Sequence, residues 1–516
     1  MANRLANISI VAAATFVSRI LGLLRDVIIF ASLGATALSS AFLIAFAIPN
    51  LFRRLLGEGA LTSAFVPIYS EELEKRSREE AHQFLNKVLT RLAVLLLVLV
   101  PIGSFLALQV MRYPGLAERW YLSAELTILL LPYLLFVCVA AILGAALNIL
   151  RRFTVAALSQ VWLNLSMIIA IGFFGYFLAG NSHERILYLC TGVLFGGFIQ
   201  IVIPTFALRR EGVRLRFDLR GSDRLKEMMS LFLPGVLGAA IIQINFLVSR
   251  LIAFWLSDEA VAILYLANRL IELPLGMFVI AVTTVCFPDL VRNAVKGDFM
   301  RFSETFHQSI RLILAITFPA ALGLFLLRDP ILQLFFQWGA FERSDVLKTA
   351  PVLAAYCGGL PFFAFAALST RGFHAIKDMR TPVILAFVNF ILNLILSLIL
   401  VRPLGMIGLA LANVFAMVFH ALAMHNLLSR KVSLLGNSFS FLAVMKIVVA
   451  TLGMGILVAI AWMWISSQFV SLKFASLVAV FFIIPASVLA YFFLLRLVRL
   501  EEASEIGLMM RRLLRY

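Results

Sequence analysis

The sequence predicts an all-α integral membrane protein of about fourteen transmembrane helices. Three observations predict it. Of the 516 residues, 62% are hydrophobic and only 14% are charged, a balance that suits a polytopic membrane chain and not a soluble one with a large core. Apolar runs long enough to cross a bilayer, about 20 residues each, recur from one end to the other. Between them, Lys and Arg collect in alternate connections.

In order along the chain, the runs fall at 5–33, 37–58, 84–111, 122–149, 155–178, 185–208, 228–256, 260–290, 305–327, 346–372, 381–401, 404–428, 441–466 and 472–497. The first carries Arg19, Arg25 and Asp26 where a signal peptide needs an uninterrupted apolar stretch, so it reads as a retained helix. Lys75, Arg76, Arg78 and Lys87 follow the second run. Arg209, Arg210, Arg214, Arg216, Arg220, Arg224 and Lys226 follow the sixth, and Arg499, Arg511, Arg512 and Arg515 follow the last. The connections at 34–40, 179–184 and 257–260 have almost none. The positive-inside rule then puts both termini in the cytoplasm, which requires an even number of spans. On this reading the net charge of +17 belongs to loops lying against anionic lipid headgroups and calls for no nucleic acid. Cys138, Cys190, Cys286 and Cys357 all lie in apolar stretches without a CxxC pair. They read as small core residues, with no disulfide or metal site.

The chain also echoes itself. Leu56-Gly57 leading to Pro67 returns as Leu275-Gly276 leading to Pro288, and Arg152-Phe153-Thr154 with Leu163-Asn164-Leu165 returns as Arg380-Thr381-Pro382 with Leu392-Asn393-Leu394. The offset of roughly 220–230 residues, about six spans, is what internal repeats in a transporter produce. Two six-helix lobes result, 1–215 and 216–430. The last two spans fall outside the repeat as a C-terminal hairpin with a cytoplasmic tail, 431–516.

Charged residues inside the spans are the strongest functional signal. A charge at the bilayer centre costs roughly 2.5–3.5 kcal/mol even on the mildest scale, so such groups face a water-filled cavity. At 100° per residue, Ser18 and Arg25 nearly eclipse, as do Arg19 and Asp26, and Gly22 lies between the two rows. Arg25 and Asp26 are adjacent and pair poorly along a helix, so Asp26 is expected to steady Arg19 or a residue of another helix. In the second span Asn50, Arg53, Arg54, Gly57 and Glu58 share a face, and Pro49 loosens the helix before them. Arg54 has an ordinary alternative as an interfacial anchor paired with Glu58. In the eighth span Tyr265, Asn268, Arg269, Glu272 and Gly276 make a similar stripe, interrupted by Pro274. Broken helices beside charged stripes are where transporters place binding sites. Arg binds phosphate bidentately and stays charged at any pH, so these arginines suit a diphosphate.

These segments carry a resemblance. Ser18-Arg19-x-Leu21-Gly22-x-x-Arg25-Asp26, the stretch from Ile48-Pro49-Asn50 through Arg53-Arg54 and Glu58-Gly59 to Pro67-x-Tyr69, Asn268-Arg269-Leu270-x-Glu272-x-Pro274, and Lys377-Asp378-x-Arg380-Thr381-Pro382 resemble the MurJ (MviN) lipid II flippases over the whole chain. The resemblance implies the fold of the multidrug/oligosaccharidyl-lipid/polysaccharide exporters, with a cationic cavity and a groove for the lipid tail formed with the last two helices. It implies a transporter and not an enzyme, which moves undecaprenyl-diphosphate-linked disaccharide-pentapeptide across the bacterial inner membrane by alternating access for peptidoglycan synthesis. Arg19, Arg25, Arg53 and Arg269 match the family's essential arginines. Ser18, Asp26, Asn50, Asn268 and Glu272 are expected beside them, and Asp26, Glu58 and Glu272 are candidates for ion coupling. The expected partners are lipid II and membrane lipids, with no cofactor.

Other classes fit less well. An ATP-driven pump needs a Gly-x-x-x-x-Gly-Lys loop, and the chain has no Gly-Lys dipeptide. A glycosyltransferase needs carboxylates on a soluble face, whereas the acidic residues here cluster in short loops such as Glu71-Glu72-x-Glu74. A cation exporter needs an acidic cavity. A flippase for another undecaprenyl-diphosphate-linked glycan shares the charge logic, and a pore-free scaffold is the non-transport alternative.

Overall fold

Lipid offers no hydrogen-bond partner to a backbone amide, so a chain this apolar must satisfy its amides internally. It does so by helix throughout. A computed structural model describes residues 2–57, 59–432, 441–469 and 471–500, and every regular element among them is an α-helix or a π-helical turn. The chain divides into two compact units, Met1–Ala262 with Trp338–Phe341, and Ile263–Gln337 with Glu342–Tyr516.

The first unit holds α1 (Ala2–Leu33), α2 (Ala37–Phe52), α3 (Ala60–Lys75), α4 (Arg78–Arg112), α5 (Glu118–Ile149), α6 (Phe153–Ala157), α7 (Ser159–Ile169), α8 (Gly175–Phe177), α9 (Ser182–Arg210) and α10 (Asp223–Leu256). Its core is α5, which packs against α2, α4 and α9 and buries Leu126, Tyr133 and Cys138 completely. Hydrophobic transfer does not drive helix association in lipid, so close packing of small residues has to. At Gly197 of α9 a Cβ would sit 2.6 Å from the Tyr133 ring. Polar residues punctuate the helices where expected: Thr36 and Ser39 exchange side-chain and backbone hydrogen bonds at the start of α2, and Ser77 caps α4 by accepting from the Glu80 amide. The acidic run Glu71-Glu72-x-Glu74, expected in a loop, is instead the helical end of α3. There Arg224 of α10 donates Nε to Glu72 at 2.7 Å.

A short piece of later chain completes this unit. The Ala340 amide donates to the Ala31 carbonyl at the end of α1 at 2.7 Å, and Phe30 and Phe341 meet edge to face at 5.9 Å. Both strands turn on left-handed glycines, Gly34 (φ 67) and Gly339 (φ 56). A Cβ at Gly339 would lie 2.2 Å from the Ala31 oxygen.

The second unit holds most of α11 (Ala260–Pro274), then α12 (Ile280–Val295), α13 (Phe299–Leu326), α14 (Arg328–Phe336), α15 (Arg343–Cys357), α16 (Leu360–Ala375), α17 (Arg380–Lys431), α18 (Phe441–Gln468), α19 (Leu472–Val478) and α20 (Ile484–Leu497). α13 packs against α12, α16 and α18, with Phe302 and Phe306 fully buried. The hairpin of α18 to α20 is tied on by hydrogen bonds from Ser476 to Gln333 at 2.8 Å and from Tyr491 to the Ala315 carbonyl at 2.8 Å. An apolar cavity of about 340 Å³ lies between α13, α18 and the α15–α16 bend, lined by Phe318, Leu322, Phe325, Cys357, Pro361 and Val448 among others.

Ten helices among the described residues are long and apolar enough to cross a membrane, or eleven if α15 and α16, bent by 45°, form one span. The sequence count of fourteen is larger for identifiable reasons. The runs 5–33 and 228–256 fall on α1 and α10, which do not meet that criterion over the described residues. The runs 381–401 and 404–428 both fall on α17, where non-helical Gly405 (φ 56, ψ −131) joins two helices. The second run and α3 after it are counted together as one candidate span, Ala37–Lys75.

The prolines of the two echoed helices act alike. Pro49 and Pro274 do not break their helices. Each is followed by a π-helical turn, Arg53–Gly57 after α2 and Leu275–Val279 after α11, which absorbs the distortion a proline imposes. Farther along, Arg151 and Lys377 both adopt φ 61. Beside the first, Arg152 pairs with Glu211 at 2.6 Å. Beside the second, Asp378 pairs with Lys431. An ion pair thus lies beside each of these turns, the turn contributing the base in one and the acid in the other. Burial of Asp378 pushes its carboxyl up, but hydrogen bonds from Lys431 and Thr381 outweigh that and hold it below the usual carboxylate range.

Candidate functional site

The charged residues expected from the sequence form three groups on their helices. The first is on α1, which packs against α7. Gly22 is buried there. Arg25 donates Nε and Nη2 to Asp26 Oδ1 at 3.0 and 2.6 Å, and Nη1 to Asn164 Oδ1 of α7 at 3.0 Å. Asn164 in turn donates Nδ2 to the Ser18 carbonyl at 3.1 Å. The side chains of Arg25 and Asp26 are only 13% and 2% exposed. At such burial an ion pair is kept by its extra hydrogen bonds, since removing one partner leaves an uncompensated charge.

Asp26 thus pairs with its neighbour Arg25, the pairing the helical wheel disfavoured, and not with Arg19. Ser18 takes part through its backbone. Arg19 is half-buried and makes no hydrogen bond or ion pair among the described residues.

The second group lies at the first π-helical turn. Asn50 donates Nδ2 to the Phe46 carbonyl at 3.0 Å, and its Oδ1 accepts from Arg53 Nε at 3.3 Å. Asn50 therefore fixes Arg53, as their shared face predicted. Arg54 is exposed, with its guanidinium 5.8 Å from the centre of the Phe246 ring. Glu58, the partner expected for Arg54 and a coupling candidate, lies outside the described residues.

The third group is on α11, one turn before the π-helical turn Leu275–Val279. Glu272 accepts from Asn268 Nδ2 at 3.0 Å through Oε1 and from Arg269 Nη1 at 3.3 Å through Oε2. Its carboxylate is half exposed. One carboxylate thereby orients both the amide and the guanidinium.

Asn164 is the residue that sequence reasoning missed. It appeared only as a marker of the repeat, although an Asn inside an apolar span, once buried, must find hydrogen-bond partners. That rule was the available signal. Chemically, each group holds a guanidinium by an acidic or amide oxygen while the arginine keeps its charge. Each arrangement keeps a cationic side chain oriented within an otherwise apolar helix.

The chain as a whole is similar to known proteins. A family model described as lipid II flippase MurJ matches residues 29–483. A probable lipid II flippase MurJ of Rhizobium meliloti (strain 1021) is 34% identical over 415 residues, covering 79% of this chain and 77% of its own. The protein so named from Vibrio cholerae serotype O1 is 33% identical over 419 residues, 78% and 79% of the two chains. A solved lipid II flippase MurJ in an inward closed conformation superposes with a TM-score of 0.78 at 28% identity, over 94% of this chain and 97% of that one. An inward-facing multidrug transporter of the MATE family superposes with a TM-score of 0.68 at 15% identity, over 82% and 96%, a likeness of fold alone.

Proposed function

This chain belongs to the MurJ family of lipid II flippases, and from that premise we propose that Arg19, Arg25, Arg53 and Arg269 hold the diphosphate of the lipid it carries. The chain is a lipid II flippase of peptidoglycan synthesis. It takes undecaprenyl-diphosphate-linked disaccharide-pentapeptide from the cytoplasmic to the periplasmic leaflet of a bacterial inner membrane, with both of its own termini in the cytoplasm. It works by alternating access and makes or breaks no covalent bond. The lobes 1–215 and 216–430 act as its two halves, and the hairpin beyond 431 receives the polyprenyl tail.

The observation that carries the assignment of the site is the fixed Arg25. A guanidinium that is 13% exposed within an apolar helix has no reason to be there unless a charge is handled. Asp26 and an incoming diphosphate are alternative anionic partners for that one guanidinium, and Asn164 holds the side chain in place during the exchange. Asn50 and Glu272 align Arg53 and Arg269, Asn268 steadies Glu272, and the Ser18 carbonyl holds Asn164. Asp26, Glu58 and Glu272 are the acidic groups through which a coupled ion would act.

The test is depletion of the protein in cells, followed by an assay of which leaflet holds lipid II. Accumulation in the cytoplasmic leaflet is expected. An unchanged distribution would end the assignment.

A further inference from the structure

The segment 211–222 that joins α9 to α10 has no regular structure, yet it is bound along its length. Asn86 of α4 treats it as a strand would: its Nδ2 donates to the Arg214 carbonyl at 2.9 Å and its Oδ1 accepts from the Arg216 amide at 3.1 Å. One turn later Thr90 Oγ1 accepts from the Asp218 amide at 3.0 Å. Arg91 then donates Nη2 to the carbonyls of Leu219 and Arg220 at 2.8 and 2.9 Å. Asn86 and Thr90 are four apart, so they share a face of α4. The segment is a strap laid along that face.

What the strap displays is amphipathic. Arg214, Arg216 and Arg220 are exposed and make no ion pair among the described residues. Between them, Phe217 and Leu219 are 73% and 54% exposed. Two exposed apolar side chains on a rigid, cationic ribbon make poor sense in water.

Their depth supplies the sense. The strap runs in the same direction as α4, with residues 214–216 beside Asn86 and residues 218–220 beside Thr90 and Arg91. The first large exposed apolar side chains of α4 are Val94 and Leu95, three and four residues past Arg91, or about 5 Å along the axis. On the other side, α10 exposes Met229 and Leu231 within its second and third turns. Phe217 and Leu219 therefore stand at the rim of the apolar belt, where aromatic rings and arginines sit among headgroups.

We propose that the strap is an interfacial anchor that binds the phosphodiester headgroups of anionic phospholipids, with Phe217 and Leu219 set in the acyl boundary. The arginines supply the anion contacts, and the bonds from Asn86, Thr90 and Arg91 remove the ordering cost that a loose loop would meet on binding.

The test uses the full chain in phosphatidylcholine nanodiscs containing one-fifth phosphatidylglycerol, without lipid II, so its outcome is independent of the transport reading. The first arm measures retention of spin-labelled phosphatidylglycerol relative to phosphatidylcholine. The triple variant Arg214→Gln, Arg216→Gln, Arg220→Gln should lower that preference at least fivefold, and 1 M salt, where screening acts within about 3 Å, should abolish it in the parent. The second arm places a nitroxide at Phe217→Cys, which should be relaxed by oxygen more than by a soluble nickel chelate. Equal retention by parent and triple variant overturns the proposal. So does a nitroxide exposed to water in nanodiscs, including the case in which it becomes protected only in native membranes, which would mean an acidic protein partner.

Discussion

At the residue scale, Arg25 decides most. Alanine there should abolish complementation of a depleted strain while membrane levels stay normal, and alanine at Arg19 or Arg269 should do the same. Wild-type growth from all three variants would refute the cationic site. Lysine should rescue only partly, because an ammonium cannot reproduce the fork that engages Asp26 and Asn164 together. Asn164→Ala should weaken lipid II binding by about 1–3 kcal/mol, the cost of leaving buried partners unsatisfied. Titration of a lipid II analogue into purified protein checks this, and an unchanged affinity would remove Asn164 from the site. The helical wheel made the stripes on α1, α2 and α11 legible, and it failed at Asp26 for a physical reason. A wheel plots Cβ directions, and adjacent Cβ atoms diverge by 100°. The arginine stem is long enough to swing its guanidinium back across that angle, so an Arg followed by Asp can close a pair that no wheel displays. Asn164 was invisible for a different reason, since only the packed partner helix reveals what a lone buried amide touches.

At the scale of elements, the prolines were legible but their outcome was not. Pro49 and Pro274 marked the disturbed helices, and the sequence pattern cannot distinguish a break from a π-helical turn, because both begin with the same lost amide. A π-helical turn holds one residue more than the α-turn it replaces. Deleting Met277 from Leu275–Val279 should therefore restore α-helix and rotate Asn268, Arg269 and Glu272 by about 100° relative to α12. Loss of complementation with normal insertion is expected, and full activity would show that the phase of this helix is unimportant. The turn before α17 gives a pH prediction. Because the Asp378 carboxyl is held below its ordinary value near 3.8, its stabilising pair with Lys431 is fully formed above that value and is lost as pH falls through the lowered one. The Tm difference between parent and Asp378→Asn should stay constant from pH 8 to pH 5 and shrink below about 4. A difference that vanished already at pH 6 would contradict this. The hairpin offers a third case. A chain truncated before Phe441 should insert and bind a short-chain lipid II analogue, yet bind the full-length lipid weakly and fail to flip it. Equal affinity for both lipids would exclude the hairpin from tail binding.

For the whole molecule, the fold class was legible because a bilayer permits so few solutions: apolar runs of span length leave only helices or closed barrels. Transport by alternating access makes cysteines at Ser18 and Asn268 the informative probes, in a background where the four buried native cysteines are replaced. Their labelling by impermeant thiol reagents should change when substrate synthesis is blocked, and labelling that ignores substrate supply would point to a static pore or a scaffold. What no span pattern discloses is that Trp338–Phe341 belongs with the first unit. Hydropathy locates the ends of spans but is silent on which connection returns to which neighbour, and the return here uses two left-handed glycines, the Ala340–Ala31 hydrogen bond and the Phe30–Phe341 contact. That arrangement sets a schedule for biosynthesis. When Ala262 leaves the ribosome, the first unit still lacks the amide that the Ala31 carbonyl will accept, and about eighty more residues must be made first. At typical elongation rates of 5–20 residues per second, the nascent unit waits roughly 4–16 s with that end open, a window for insertion factors or proteases that closes only as the Gly339 turn emerges.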